Sequence, residues 1–410
     1  MDGPHSHAML PTMPTAPGRE RQAVHGATAT GREGRLGQIA RVTSWLSGWV
    51  SQIFEWNSTG LNWPRGVLML DVLLVPLVVF WSIGYEQYLL SAVFGVVFTV
   101  LADPGGSYGS RVLRMAVFGL VGTGLTALGF GIGGDSWGWM ALAAFAVTLL
   151  SGLAIMFGVH RFVAGVLLNV WFIIALAVAF NFHHTHLRIQ ITNYTWAQVL
   201  AWTGGAALWI AMTFIAWPIR GRKDEAPLVA EIPGDTSRQP LTGPVIMFMT
   251  LRAVVIAGTL SLAFGLNLSH GAWMPIAAFV AMKPSLADTT LRAVQRLVGA
   301  AIGAGAAALL LLIPANENGL KLLSITHGLE VVAIVLLMHA AAIRFWSYAF
   351  YTGAIAAAVL ILLDLPQPSS YSAEGYRILW TLCGVGIGVL VLLLAGLLAR
   401  RKAKAPPQPA

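Results

Sequence analysis

Long apolar runs separated by short polar turns make up most of this chain. A helix needs about 20 apolar residues to cross a hydrocarbon layer ~30 Å thick. Windows of that kind predict spans at 66–84, 88–102, 112–132, 137–157, 162–182, 196–217, 245–266, 271–284, 292–313, 328–343, 345–363 and 377–399. The 271–284 stretch is short, carries Pro275 and ends at Pro284, so it is expected to be kinked, tilted or partly re-entrant. The expected fold is an all-α polytopic membrane protein of about twelve transmembrane helices. Composition agrees: 57% of residues are hydrophobic and 10% charged, with mean hydropathy +0.72. Soluble domains carry about 25% charged residues.

Two distant stretches read almost alike. LADPGGSYGSRVLRMAVFGLVGTG runs from Leu101 to Gly124, and AMKPSLADTTLRAVQRLVGAAIGAG from Ala281 to Gly305. Each ends an apolar run on a charged residue and proline, Asp103-Pro104 or Lys283-Pro284. A polar turn follows, then two arginines and a glycine-studded apolar helix. HRFVAGVLLN from His160 and IRFWSYAFYT from Ile343 form a second matching pair. The pattern predicts two copies of one six-helix module. An even number of spans per copy makes the repeats parallel, related by a pseudo-twofold axis along the membrane normal.

Charge placement orients the chain. With the N-terminus cytoplasmic, only Arg188, Lys321 and Arg377 of the 25 Lys and Arg fall outside, the bias that sets topology. Trp63, Trp137, Trp139, Trp196, Trp217, Trp273 and Trp346 sit near span ends, where interfacial anchors are expected. The net charge of +8 follows from this topology and does not call for a nucleic-acid partner. Residues 1–64 read as a polar cytoplasmic N-terminus, disordered over 1–42 and with no apolar region of signal-peptide type. Within it, Trp45, Trp49, Ile53 and Trp56 recur at helical spacing, so 43–56 either lies flat on the inner surface or packs peripherally. The membrane repeats occupy 65–217 and 245–399, joined by a short charged linker at 218–244 and followed by a basic tail at 400–410.

Asp71, in MLDVLL, is the acidic residue read as lying well inside a span. An ionised, unpaired carboxylate there costs several kcal/mol, so it must be neutral, paired or facing water. It is a proton-coupling candidate, or else a structural partner of a basic group such as Arg65. Arg111, Arg114, Arg161, Lys283, Arg292, Arg296 and Arg344 fall at inner span ends in matching places in the two halves. They could ring a vestibule that attracts organic anions, since arginine binds carboxylates bidentately. They could equally be positive-inside anchors on lipid phosphates. Gly119, Gly122, Gly299 and Gly303 are expected to let helices approach closely. Asn169, His339 and Thr352 fit interhelical hydrogen bonds.

Other chemistries lack support. The sequence contains no GxxxxGK[ST] or HExxH pattern, and no catalytic set and no cofactor are expected. His183, His184 and His186 are too close in sequence to share a compact metal site, and the lone Cys383 excludes a cysteine cluster.

The stretch MKPSLADTTLRAVQRLVGAAIGAGAAALLL, with Lys283, Pro284, Arg292, Arg296, Gly299 and Gly303, resembles the signature of the fusaric-acid-resistance-like (aromatic acid exporter) family. The first-half LADPGGSYGSRVLRMAVFGLVG resembles the family's corresponding early element. The resemblance implies a bacterial inner-membrane exporter of small organic or aromatic acids, driven by protons and, in many members, working with a periplasmic membrane-fusion adaptor. Plant aluminium-activated malate channels look related in their membrane part, so a passive anion channel is the competing reading. A membrane-embedded enzyme or assembly factor is a third. The family often carries a large cytoplasmic domain between its halves, and this chain has only the short linker there.

Overall fold

The computed structural model describes residues 51, 53–103, 105–184, 191–219, 240–282, 289–313, 319–364 and 371–404, all within the unit Ser51–Ala410. The expectations for residues 1–50, the linker core 220–239, Lys283 and His186 lie outside the described residues. The same holds for the side chains of Arg292, Arg296 and His184.

The described residues form twelve α-helices: α1 Trp63–Ile83, α2 Leu89–Ala102, α3 Tyr108–Ile132, α4 Trp137–Leu153, α5 Val159–His184, α6 Ile191–Ile219, α7 Gly243–Gly265, α8 Trp273–Ala281, α9 Thr289–Leu311, α10 Gly319–Ile343, α11 Tyr348–Asp364 and α12 Tyr371–Lys404. Each expected span falls on one of them. Eight contain a stretch long and apolar enough to cross a membrane: α1, α3, α4 with the turn after it, α5, α6, α7, α10 and α12. The chain is an all-helical, multi-span membrane protein.

The other four, α2, α8, α9 and α11, carry shorter apolar stretches, and α8 is short as expected for 271–284. The nine residues of α8 reach roughly 14 Å, less than half of the ~30 Å hydrocarbon layer. The cause lies in the turn before it, where Asn267 and His270 take positive φ, a conformation costly for non-glycine residues. Helix α2 has 14 residues, about 21 Å. It begins after the 3-10 turn Glu86–Tyr88 and stops at Asp103. Helix α10 is longer than expected. It begins at Gly319, nine residues before the expected 328, because Gly328 lies inside the helix and does not end it.

Burial explains how short helices are tolerated. Residues 91–101 of α2 are buried on every face. Backbone that falls short of crossing lipid is stable when protein surrounds it. Around α2 the core stacks aromatic rings: Trp171 of α5 lies 4.6 Å from Trp202 of α6 at 19°, and both approach Phe98, with Phe94 beside Trp171. The Trp171 indole donates to Thr126 at 2.8 Å.

The packing pairs fall into matched sets. Helix α2 packs on α6 as α8 packs on α12, and α3 on α5 as α9 on α11. Likewise α4 packs on α5 as α10 on α11, and α1 on α2 as α7 on α8. Three contacts join the halves: α4 with α7, α10 with α1, and more narrowly α5 with α8. The broadest contact without a counterpart lies in the first half. Helix α3 packs broadly on α6, with no comparable α9–α12 contact among the described residues.

Glycine sets the close crossings. A Cβ on Gly205 would run into the Ala92 carbonyl of α2, and one on Gly384 into the Met274 carbonyl of α8. Gly299 and Gly303 likewise face the Ala349 and Gly353 carbonyls of α11. Gly122 gives room to the Trp202 ring, and Gly119 meets Ala206. A backbone carbonyl cannot swing aside as a side chain can, so Gly205→Val should destabilise by about 1–3 kcal/mol or more. Gly124→Ala, with open space around it, should be neutral or slightly stabilising. Thermal unfolding of the two variants in detergent checks the contrast, and equal stability would remove the crossing argument.

Candidate functional site

Helix α2 ends inside the protein, and its last carbonyls need donors. Arg65, in the first turn of α1, donates from Nη2 to Val100 O at 2.7 Å. Arg344, just after α10, donates from Nη1 to Leu101 O at 3.2 Å. Both guanidinium groups also place positive charge at the negative end of the helix dipole.

Beside them, Arg111 grips Asp103 bidentately, through Nε to Oδ1 at 2.7 Å and through Nη2 to Oδ2. Arg65 stands 3.7 Å from the same carboxylate. Asp103 and Arg111 are 3% and 6% exposed, which makes this a desolvated pair. The turn between them helps to build it. Gly105 and Gly106 adopt φ of 63° and 85°, which glycine takes at little cost, and Gly105 N–H donates to Asp103 Oδ1 at 3.1 Å. The second half holds a related contact. Arg252 of α7 donates to Phe279 O in the last turns of α8 at 3.2 Å and lies 3.7 Å over the Phe279 ring.

The basic residues expected at inner span ends therefore divide. Arg111 is buried against Asp103, and Arg344 is half-buried and caps α2. Arg114 and Arg161 are exposed, with Arg161 near the Phe157 ring. Arg65, named in the sequence reading only as a partner for Asp71, holds Val100 and Asp103 instead. The informative signal was Asp103 itself. An acid eight residues before an arginine, across a Pro-Gly-Gly turn, can fold back on it.

Asp71 is exposed on the face of α1 that also shows Val67, Leu74, Val75 and Val78. It makes no hydrogen bond or ion pair with another described residue. Glu330 is the intramembrane acid that sequence reading missed. It sits in the middle of α10 at 9% exposure and accepts a 2.6 Å hydrogen bond from the Trp81 indole of α1. One turn earlier on α10, His327 Nε2 lies 3.0 Å from Glu86 Oε1 in the turn after α1, with its ring 4.6 Å from that of Trp81. The early start of α10 hid this cluster, although His327 and Glu330 at i, i+3 share a helix face.

Of the three polar groups expected to bond between helices, Asn169 does so, whereas His339 and Thr352 bond back to their own helix. Asn169 donates to Thr148 at 3.0 Å, His339 Nδ1 lies 2.7 Å from Val335 O, and Thr352 donates to Tyr348 O at 3.0 Å. Among the described residues, no group of three His, Cys, Asp or Glu could hold a metal ion.

Residues 253–391, covering most of α7 through the middle of α12, match the family model described as fusaric acid resistance protein-like. No curated protein and no solved structure matches the chain.

Removing Asp103 would strand two buried guanidinium groups. Asp103→Ala should cost about 3–5 kcal/mol, as for other buried pairs that lose one partner. Arg111→Met combined with Asp103→Ala should recover part of that loss. Thermal unfolding and membrane yield measure both, and strict additivity of the two single losses would show that the pair is not coupled.

Proposed function

We propose that this protein exports small organic or aromatic acids across a bacterial inner membrane in exchange for protons, with both termini cytoplasmic. The observation that carries the reading is the match of residues 253–391 to the fusaric acid resistance protein-like family model. The two halves, 65–217 and 245–399, are proposed to be parallel repeats whose seam forms the pathway. The matched packing pairs, with α4–α7 and α10–α1 as reciprocal contacts between halves, support this arrangement. So does the recurrence of a guanidinium on the last turns of the second helix of each half, from Arg65 and from Arg252.

The anion path is proposed to run past the basic inner ends, with Arg292, Arg296, Lys283, Arg114 and Arg161 drawing carboxylates from the cytoplasm. Arg111 and Arg344 contribute to the field there while holding α2 in place. Asp71 is proposed to exchange protons in the inner half of the bilayer, since α1 places it about 12 Å beyond Trp63. A periplasmic adaptor of the membrane-fusion type is the proposed partner on the outer side.

Proteoliposomes loaded with fusaric acid test the reading. An imposed proton gradient should drive the acid out of the side equivalent to cytoplasm, and a gradient-independent leak would mark a channel instead. Arg296→Gln should lower flux by tenfold or more, on the scale of one lost charged contact, while Arg401→Gln leaves it unchanged. Asp71→Asn should abolish the response to the proton gradient while binding of the acid persists. Gradient-driven export that survives this change would remove Asp71 from the mechanism.

A further inference from the structure

The α1–α10 seam joins the two halves and is tied at both ends, but by different chemistry. At its Trp63 end the hydrogen-bonded ties are backbone groups, and the His339 ring meets that of Trp63 edge-on at 5.6 Å. Asn57 N–H donates to Trp346 O at 2.8 Å and Asn62 N–H to Ala342 O at 2.9 Å. Gly66 also packs directly on Met338 and Ala342, and Arg344 caps α2. At its Ile83 end the ties are all side chains, and three of the four are titratable: Glu86 with His327, and Trp81 with Glu330.

We propose that Glu330, His327 and Glu86 form a proton-binding site that latches the outer end of this seam, closing it when a proton binds and releasing it when the proton leaves. The site has the required geometry. Glu86 belongs to the first half and the other two residues to the second, so their mutual charge acts across the seam and not within one helix. Glu86 meets the imidazole directly, and Glu330 lies one turn along the same face of α10. With His327 neutral and both acids ionised, the cluster would carry two negative charges in a partly desolvated place, and the halves would repel there. One added proton leaves a single net negative charge. The exposures grade from 39% for the Glu86 side chain through 28% for His327 to 9% for Glu330. Protons thus have a route from water to the buried carboxyl.

Asp364, whose side chain lies outside the described residues, ends α11 toward this end of α10. From the elements packed against the site, Tyr85 and Tyr88 flank the turn. On α11, Tyr348 and Tyr351 lie at the opposite end. On α10 itself, Lys321 stands at the outer tip, nearly two turns before His327. The Trp81 indole orients Glu330 by donating to it, and its ring packs on His327, so the proton site and the helix contact are mechanically one.

The latch deepens the proton-exchange reading, because an exporter that closes outwards after binding an external proton must next open inwards. Its test needs no substrate, so the latch and the transport reading can fail separately. Spin labels at Ile83→Cys and Leu323→Cys, in a Cys383→Ala background, would report the outer seam in liposomes. Both positions are exposed, at 53% and 46%. Between about pH 8 and about pH 5, the range in which an imidazole changes charge, the distance should shorten by ~2 Å or more, the scale of helix shifts at interfaces. Glu330→Gln keeps an acceptor for Trp81 and mimics the protonated form, so the short distance should persist at both pH values. Glu86→Gln, on an accessible turn where folding is least at risk, should reduce the pH response at least twofold. Infrared difference spectra over the same range should show a carboxyl band that is lost in Glu330→Gln. A pH-independent distance in the parent, or a full response retained in both glutamine variants, overturns the latch.

Discussion

Helix α2 ends where water cannot reach its last carbonyls, and much of the architecture answers that constraint. In hydrocarbon an unsatisfied carbonyl costs several kcal/mol. Arg65 and Arg344 supply donors from two different helix ends, one in each half of the chain. Bringing two guanidinium groups into the interior creates a second problem, since buried charge needs a counter-charge. Asp103 answers it for Arg65 and Arg111 together. The short central helix, the Pro-Gly-Gly turn and the placement of α1 and α10 are linked through these few contacts. Shifting one of these elements breaks a bond made by another.

The same economy governs the apolar packing. Lipid offers helices no hydrophobic reason to associate, so close contact must come from shape. Gly205 and Gly384 admit carbonyls of α2 and α8, and Gly299 and Gly303 admit those of α11. The rings of Phe94, Phe98, Trp171 and Trp202 fill the space that the first-half crossings leave. The two halves fill their helix crossings differently.

Most of the helix plan was legible in the sequence, because hydropathy reads the solvent around a helix and the solvent here is apolar over long stretches. Boundaries failed where hydropathy and helix geometry part. Gly328 and His327 look like the edge of a span, yet helical hydrogen bonding runs through them, so α10 gained two and a half turns and Glu330 moved from its margin to its middle. At 271–284 the prolines marked a short helix, and α8 runs only from Trp273 to Ala281. Charges were harder to read than spans. Arg111 and Arg114 are three residues apart and look equivalent in the sequence. One turn of helix directs the first to a buried carboxylate and the second to the surface. Sequence spacing gives the helix face, but which face is inside depends on neighbours that arrive from eight to 243 residues away.

The stacked pair of Trp171 and Trp202 has an optical consequence. Two indoles 4.6 Å apart and nearly parallel couple their electronic transitions, so they absorb as a pair. Of the chain's 15 tryptophans, this pair lies wholly inside the first half, between α5 and α6. Its circular-dichroism couplet in the near ultraviolet would report whether that half keeps its packing while the rest of the protein moves. The protein thus contains its own spectroscopic ruler, with no label to attach.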